Sequence, residues 1–451
     1  MVDSTQRRRL FSRASAALHG ISLRAVVQSR PRGPNVTRTS GCDALVVGAG
    51  VVGIATALQL QLAGLEVLLL DQNPPASGTS SGNAGAIAIS EVLPLADAKT
   101  LRKIPGWLFD PMGPLAVRWR HLPTLAPWLS RYLLASRAGS VSKLTQQLAY
   151  LLGRTLSDLQ PLVVRSGLDG MWRRQGALMV YATQKELRAD LEGWKLRGKH
   201  GVNWQLCNPE QVYSLEPALS AQWRNAVSIT DFSHVEDPYL FTLGLFQQFI
   251  AEGGRFEQHP VAALRQQGGK VTGVMLRDGQ TIDSSRVIVA SGVWSDHFSK
   301  PISQNLPLES ERGYHLTLPH AQSPLKRYVM NHSESFVVLP MGNGALRLAG
   351  TVELASRYAA PDYRRARMLL SKAESMLGTL NTEGMTEWMG NRPSVPETVP
   401  VIGPSAKVDQ LYFATGHGHL GLTLSATTGA MLRDHIVGKQ PIPEEYRPSR
   451  Y

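Results

Sequence analysis

Three glycines with the spacing G-x-G-x-x-G, namely Gly48, Gly50 and Gly53, directly follow the short apolar run 44–47. In a strand-turn-helix unit, the first glycine allows a tight turn and the second lets the backbone approach a pyrophosphate. The third lets the helix pack closely on the strand, and the helix N-terminus supplies free N–H donors. Asp71 lies 18 residues beyond Gly53, close to the roughly 20 expected of the acid that binds a ribose hydroxyl. This pattern predicts a dinucleotide site, and the alternative is a glycine-rich turn that binds nothing.

The elements needed to position these residues follow in the right order. Residues 54–65 have apolar side chains on one helical face, and the apolar run 67–70 ends in Asp71. We find one such strand-helix-strand unit, which is enough for one dinucleotide. The apolar run 287–295, interrupted by a glycine, predicts a buried parallel strand that meets a ligand-facing loop.

Two loops are made of small residues. Residues 78–85 have almost no side-chain bulk, so this loop can pass very close to a flat ligand. The alternative is a simple flexible connection. Residues 416–421 follow a predicted strand, and we expect them to open the last helix.

Composition limits the class of protein. The chain has 451 residues, 43% of them hydrophobic and 18% charged, which is typical of a globular protein and long enough for two domains. Its two cysteines, Cys42 and Cys207, provide neither a disulfide framework nor a metal-ligand spacing, so we expect no metal site. Beyond the N-terminal segment there is no dense Lys/Arg stripe, which excludes nucleic acid as a partner.

The N-terminal segment 1–42 contains eight arginines and one acidic residue, and it accounts for most of the net charge of +12. Its composition is typical of a disordered tail, of a transit peptide, or of a start codon placed too early. We favour a disordered tail and a cytoplasmic protein; a transit peptide would instead indicate a mitochondrial location.

Residues 104–135 combine aromatic side chains with arginines and prolines. One interpretation is a loop-helix cover over a substrate cavity, which we favour, and the other is a surface that contacts lipid headgroups at the inner membrane. Prolines at 105, 111, 114, 123 and 127 argue against a long amphipathic helix. No stretch reaches the roughly 18 to 20 apolar residues of a membrane span.

Several motifs in order resemble one family. Besides the first glycine motif, the matching stretches are Ser81-Gly82-Asn83-Ala84-Gly85, 289–295, Arg312-Gly313-Tyr314-His315, 390–396 and 416–423. Together they resemble the FAD-dependent D-amino-acid oxidase superfamily, and within it most closely the flavin subunit of D-amino-acid dehydrogenases. The resemblance covers residues 43–451.

The resemblance implies an α/β fold with two domains. A discontinuous, Rossmann-like FAD-binding domain would comprise residues 43–95, 236–304 and 391–451. An α+β substrate domain with a mixed sheet would comprise residues 96–235 and 305–390.

The resemblance also implies FAD as the cofactor, in agreement with the single glycine motif. The residues expected to contact FAD lie in five stretches of the chain: Gly48, Ala49, Gly50, Val51, Val52, Gly53 and Asp71; Ser81, Asn83, Ala84 and Gly85; Val261; Ala290, Gly292 and Trp294; and Gly416, His417, Gly418, His419, Leu420 and Gly421.

The reaction implied is oxidation of the C–N bond of a D-amino acid by hydride transfer to flavin, with the electrons passed to a quinone or another carrier. Arg392 is the predicted handle for the substrate carboxylate, because guanidinium binds carboxylate bidentately. Tyr314 is predicted to donate to the same carboxylate or to line the pocket, and the alternative is an interior tyrosine bonded to backbone. His234 and His315 are weaker candidates for the substrate pocket, each more often structural.

Two alternatives stay open at this point, and a third is disfavoured. The substrate could be glycine, or a secondary amine such as sarcosine or a hydroxyproline isomer, which would use the same arginine. A non-catalytic flavin-binding subunit is a second alternative. An NAD-linked dehydrogenase already conflicts with the single dinucleotide unit. The family usually has Pro-Asp-Gly where this chain has Pro396-Glu397-Thr398, and often a glycine at Glu236. Both departures would reshape the cavity, so they bear on substrate identity more than on reaction type.

Overall fold

The structure is a computed structural model that describes residues 41–96, 113 and 115–451. The predicted tail 1–42 therefore lies almost wholly outside the described residues. The same holds for residues 104–112 and 114 of the aromatic segment, which include Trp107 and Phe109.

The described residues form strands and helices that we number in chain order. The strands are β1 (Ala44–Val47), β2 (Val67–Asp71), β3 (Ala86–Ile87), β4 (Leu115–Val117), β5 (Trp172–Arg173), β6 (Ala177–Tyr181), β7 (Trp204–Cys207), β8 (Asn225–Ile229), β9 (Ser233–Val235), β10 (Arg255–Gln258), β11 (Val261–Gln267), β12 (Lys270–Leu276), β13 (Thr281–Asp283), β14 (Val287–Val289), β15 (Glu309–Leu318), β16 (Tyr328–Asn331), β17 (Phe336–Pro340), β18 (Leu346–Leu354), β19 (Thr386–Ser394), β20 (Val401–Pro404) and β21 (Leu411–Thr415).

The α-helices of the described residues are α1 (Val51–Leu62), α2 (Leu122–Ala135), α3 (Ala138–Arg165), α4 (Gln184–Lys199), α5 (Pro209–Leu215), α6 (Pro238–Ala251), α7 (Asp296–Ser299), α8 (Arg364–Leu377) and α9 (Ser425–Ile436). None of them is long and apolar enough to cross a membrane.

The first sheet has the strand order β10-β2-β1-β14-β21-β20, in which all neighbours are parallel except β20 and β21. Its central strands are apolar on both sides because both faces are covered. Helices α1 and α9 lie against each other, and a Cβ at Gly429 would come within 3.0 Å of the Ala55 carbonyl oxygen. The small antiparallel sheet β11-β12-β13 packs against the other face of this first sheet, and the two sheets share an apolar core.

The second large sheet is mixed, with the order β19-β15-β18-β17-β16-β6-β8-β7 and with β4 paired to β18. Strands β6 and β16 pair in parallel, as do β4 and β18, and the other pairs are antiparallel. Helix α8 covers one face and shares an apolar core with β15 and β18. The mixed sheet and the parallel sheet confirm the predicted fold class.

The strands of the first sheet come from the three segments predicted for FAD binding. Those of the mixed sheet come from the other two segments, except that β19 crosses the boundary at 390 and 391. The exact domain boundaries stay a prediction.

One helix prediction was wrong in detail. Residues 416–421 do not open the last helix, because Gly416 and Gly418 have φ values of +76° and +52°, which belong to the left-handed region. They form a loop with one 3₁₀ turn, and α9 begins at Ser425. Within 104–135, α2 spans 14 residues despite its prolines: Pro123 lies in the first turn, where no N–H donor is needed, and Pro127 is accommodated inside the helix.

Candidate functional site

The turn between β1 and α1 explains why glycine is required. Gly48 has φ +114°, and a Cβ there would lie 2.5 Å from the carbonyl oxygen of Ala290, which directly follows the neighbouring strand β14. A Cβ at Gly53 would collide with the carbonyl oxygen of Gly48, at a distance that real Cβ atoms do not show. Helix α1 begins at Val51, so its N-terminal N–H groups lie at the turn. The turn can therefore bring backbone and helix dipole against a phosphate group.

Asp71 and Ser80 lie beside this turn. The Asp71 carboxylate accepts hydrogen bonds from the backbone N–H groups of Ala49 and Asn73, each 2.8 Å long. Burial raises the pKa of Asp71 above its ordinary value. The backbone N–H of Val51 donates to the hydroxyl of Ser80 over 2.9 Å. Sequence reasoning missed Ser80, although it lies in the small-residue loop 78–85.

A cavity of about 830 Å³ extends from this turn to the mixed sheet. Most of the residues predicted to contact FAD line it, namely Gly48, Ala49, Gly50, Val51, Val52, Asp71, Asn83, Ala84, Val261, Ala290, Gly292, Trp294, His417, Gly418, His419 and Gly421. Arg392, His315 and Tyr314 border the same cavity. The structure thus brings together segments that lie more than 340 residues apart in the chain.

Five residues predicted to contact FAD are not among the cavity's lining. Gly53 supports the turn from behind, and Leu420 is fully buried in the core. The Ser81 hydroxyl donates to the Gly78 carbonyl over 2.9 Å. Gly85 and Gly416 provide close approaches, because a Cβ at either would come within 3.0 Å of a neighbour. Contact of these five residues with FAD stays a prediction.

The cavity fits a dinucleotide on grounds of its own geometry. It combines a glycine turn that a Cβ would fill, a helix N-terminus and a partly buried carboxylate at the end of β2. Sequence reasoning also missed several charged or aromatic residues of its wall: His259, Arg277, Asp296, His297, Lys300, Arg357, Tyr358 and Trp388. No motif marks these positions, which come from five separate parts of the chain.

At the other end of the cavity, one face of strands β15 and β19 presents three cross-strand pairs. The register places Glu311 opposite Arg392, Gly313 opposite Gly390, and His315 opposite Trp388. Alternate residues of a strand share a face, so these six residues form one surface. Its middle consists of two glycines and leaves room for the larger side chains on either side.

Arg392 and Glu311 form an ion pair on this surface. Arg392 Nη1 donates to Glu311 Oε1 over 2.8 Å, and the Ser394 hydroxyl donates to Glu311 Oε2 over 2.8 Å. Burial acts to raise the pKa of Glu311, but the charge of Arg392 and these hydrogen bonds hold that pKa below its ordinary value. The guanidinium lies over Gly313, where a Cβ would collide with it. Arg392 is thus held in one place at the cavity wall.

Tyr314 points to the opposite face of β15. Its hydroxyl donates to Glu353 over 2.6 Å and accepts a hydrogen bond from the backbone N–H of Asp362. Burial, together with Glu353, raises the pKa of Tyr314 to about 12. This geometry corrects the expectation that the hydroxyl reaches a substrate carboxylate, because adjacent strand residues alternate between faces. An interior position and a place in the pocket lining were the other predictions, and Tyr314 does border the cavity.

His234 is not part of the cavity lining and lies in β9 of the small sheet β3-β9-β5. It is almost fully buried, and its ring packs against the ring of Tyr328, with the two centroids 6.0 Å apart. Burial and the charge of Arg173 lower its pKa to about 4. The structure therefore corrects its assignment to the substrate pocket and makes it a core histidine.

His315 does border the cavity. Its Nδ1 lies 2.8 Å from the Gly82 carbonyl oxygen, so this nitrogen carries the proton and donates. Its ring stacks on Trp388 with centroids 4.9 Å apart and planes inclined by 13°. Burial, with the charge of Arg347, lowers the pKa of His315 to about 3. His315 is thus neutral at physiological pH.

Two further histidines belong to the loop 416–421. His417 is buried, with Nε2 2.8 Å from the Thr428 hydroxyl, and burial lowers its pKa to about 3. His419 borders the cavity with its side chain exposed there, and desolvation lowers its pKa from the ordinary value. Both rings therefore enter the site as neutral groups.

Comparison with known proteins identifies the family of this chain. Residues 43–435 match the DAO family, described as FAD dependent oxidoreductase. The chain is similar to a D-amino-acid oxidase of Bradyrhizobium diazoefficiens, with 32% identity over 91% of this chain and 99% of the relative. It is also similar to a D-amino acid dehydrogenase of Methylobacterium sp., with 31% identity over 90% and 98% of the two chains.

Solved structures show the same fold. Glycine oxidase from Bacillus cereus superposes with a TM-score of 0.67 at 20% identity and covers 88% of this chain and 96% of its own. L-amino acid deaminase from Proteus vulgaris superposes with a TM-score of 0.70 at 18% identity, covering 94% and 100%. At these identities the likeness concerns the fold alone.

The chain belongs to the DAO family of FAD-dependent oxidoreductases. This membership confirms the family resemblance, the enzyme class and FAD as the cofactor. The glycine turn and the cavity described above are the features of this chain that suit FAD.

Proposed function

We propose that this enzyme oxidises the C–N bond of D-amino acids, which gives an imino acid that water hydrolyses to a 2-oxo acid. The observation that carries the proposal is Arg392, which lies in the same cavity as the glycine turn. Its guanidinium has one hydrogen bond to Glu311 among the described residues, so its other N–H donors can bind a substrate carboxylate. The names of the relatives support the same substrate class.

FAD, when bound, supplies the acceptor for the substrate hydride. The protein's own contribution is orientation, for which a bidentate guanidinium fixes both the position and the plane of a carboxylate. Glu311 supports this role because it holds the guanidinium at the wall. The neutral histidines 315, 417 and 419 add polar groups without a competing charge.

The FAD contacts that we propose are the predicted residues that line the cavity, with Ser80 added. Ser80 and the N-terminus of α1 would lie at the pyrophosphate, and Asp71 at the ribose. The loop 416–421 would contribute backbone N–H groups and His417.

The electron acceptor is proposed to be a quinone or a carrier protein, reached through peripheral contact of residues 104–135 with the inner membrane. The described part of this segment supports such contact, because Trp119, Leu133 and Leu134 are 64%, 57% and 50% exposed beside Arg120 and Arg131. Sedimentation with anionic vesicles tests this: Leu133→Ser should halve the bound fraction, and an unchanged fraction would contradict it. A mitochondrial location would depend on residues 1–42.

A second candidate is oxidation of glycine or of a secondary amine such as sarcosine or a hydroxyproline isomer. It would use the same arginine, and among structurally similar proteins are a glycine oxidase and an iminodiacetate oxidase. Steady-state rates with D-alanine, D-proline, glycine and sarcosine and an artificial acceptor distinguish the two. We expect the highest kcat/KM with a D-amino acid, whereas a preference for sarcosine or glycine would favour the second candidate.

A further inference from the structure

The loop 78–85 is attached to the mixed sheet at several points. The Thr79 hydroxyl donates to the Asn391 carbonyl over 2.9 Å, next to Arg392. Arg347 Nη1 donates to the Asn83 carbonyl over 2.8 Å. His315 Nδ1 lies 2.8 Å from the Gly82 carbonyl. The loop therefore touches three strands, β15, β18 and β19, of the sheet that holds the carboxylate handle.

The Trp388 indole fills the space between this loop and the sheet. A Cβ at Gly82 would come within 3.0 Å of three indole atoms, including both carbons shared by the two rings. Such a position lies over the ring face rather than at its rim. A Cβ at Gly390 would collide with the outer atoms of the six-membered ring. The indole thus needs a glycine above it and a glycine beside it.

His315 fixes both partners of this contact. Its ring stacks on the indole, and its Nδ1–H donates to the carbonyl of the glycine that the indole supports. A neutral imidazole has one N–H, and the bond to Gly82 uses it, which sets the tautomer. Displacing the indole would therefore disturb the histidine, and displacing the histidine would release the loop carbonyl.

We propose that the Trp388–His315 stack is a seat for the loop 78–85, and that it positions this loop for binding of FAD. Trp388 and His315 act here as positioning residues, because they act through the backbone of Gly82. The inference rests on the proposed contact between this loop and FAD, and it does not depend on which substrate is oxidised. It assigns a role to Trp388, which no sequence motif marks.

The test is a double-mutant cycle between Gly82 and Trp388, read out as FAD affinity of the full-length apoprotein without substrate. Gly82→Ala adds one methyl group against the indole face, and overpacking of this kind should raise the FAD dissociation constant about tenfold or more. Trp388→Ala removes the indole and should weaken FAD binding, because the loop 78–85 loses its support. In the Trp388→Ala background, Gly82→Ala should change the FAD dissociation constant less than about twofold, because the indole that the methyl group would collide with is absent.

The matched control is Gly139→Ala in α3, where a Cβ meets no atom within 4 Å and FAD affinity should stay at the wild-type value. Circular dichroism of each apoprotein checks folding, and Trp388→Leu replaces Trp388→Ala if the latter does not fold. The proposal would be overturned if Gly82→Ala raised the FAD dissociation constant by the same factor with and without the indole. It would also be overturned if the Gly82→Ala variant bound FAD with wild-type affinity. Because no substrate is present, failure of this test is distinct from failure of the proposed reaction.

Discussion

Arg392→Leu is the perturbation that separates the catalytic from the structural role of the Arg392–Glu311 pair. It removes the proposed carboxylate handle. A pair of charge-assisted hydrogen bonds stabilises the bound substrate and transition state by about 3 kcal/mol, so its loss should lower kcat/KM roughly 100-fold. The same change leaves the Glu311 carboxylate, whose side chain is 8% exposed, without its cation. Breaking a buried pair in this way costs about 3–5 kcal/mol of unfolding free energy.

The two losses can be separated with a second substitution. In Arg392→Leu/Glu311→Gln the unpaired charge is gone, and the glutamine keeps an acceptor for the Ser394 hydroxyl. We expect the double variant to regain most of the unfolding free energy, measured by urea denaturation, while kcat/KM stays roughly 100-fold below wild type. Recovery of kcat/KM together with stability would refute the reasoning, because Arg392 would then act only as the partner of Glu311. Arg392→Lys keeps the charge but not the bidentate geometry. Its kcat/KM should therefore lie between that of wild type and that of the double variant.

Three further predictions follow from the described contacts. Tyr314→Phe removes the hydrogen bond to buried Glu353 and should lower the unfolding free energy, measured in urea, by about 1–3 kcal/mol. KM should change less than about twofold, and a large rise in KM would mean that the tyrosine hydroxyl binds the substrate. Gly53→Ala should yield protein that is purified without flavin, since its Cβ collides with the Gly48 carbonyl, and a normal flavin absorption spectrum would contradict this. The Glu311 pKa is lowered by folding, so its stabilising contribution is present above the ordinary value of 4.5 and is lost as pH falls through the lower folded value. Urea denaturation between pH 7 and 3 should therefore show a steeper loss for wild type than for Arg392→Leu/Glu311→Gln, and parallel curves would argue against the pair.

The dinucleotide unit could be predicted because its determinants are local. Gly48, Gly53 and Asp71 lie within one strand-helix-strand unit, and each performs a task that only that residue type performs well. The mixed sheet followed from the family resemblance rather than from periodicity.

The rest of the site depends on register between distant strands, which one sequence does not reveal. Tyr314 was expected at the substrate, but the strand turns it to the core and turns His315 to the cavity. Glu311 and Trp388 were missed for the same reason, because their importance comes from the residues opposite them. Ser80 was passed over within a loop whose neighbours are equally small.

The central claim is that D-amino acids reduce the flavin of this enzyme with Arg392 holding their carboxylate. Anaerobic rapid mixing of the FAD-loaded enzyme with D-alanine tests it most directly, with L-alanine and the Arg392→Leu/Glu311→Gln variant as controls. The account predicts rapid bleaching of the flavin band with D-alanine, none with L-alanine, and a rate lowered roughly 100-fold in the variant at low substrate. An unbleached flavin across a panel of D-amino acids, or equal rates in wild type and variant, would contradict it.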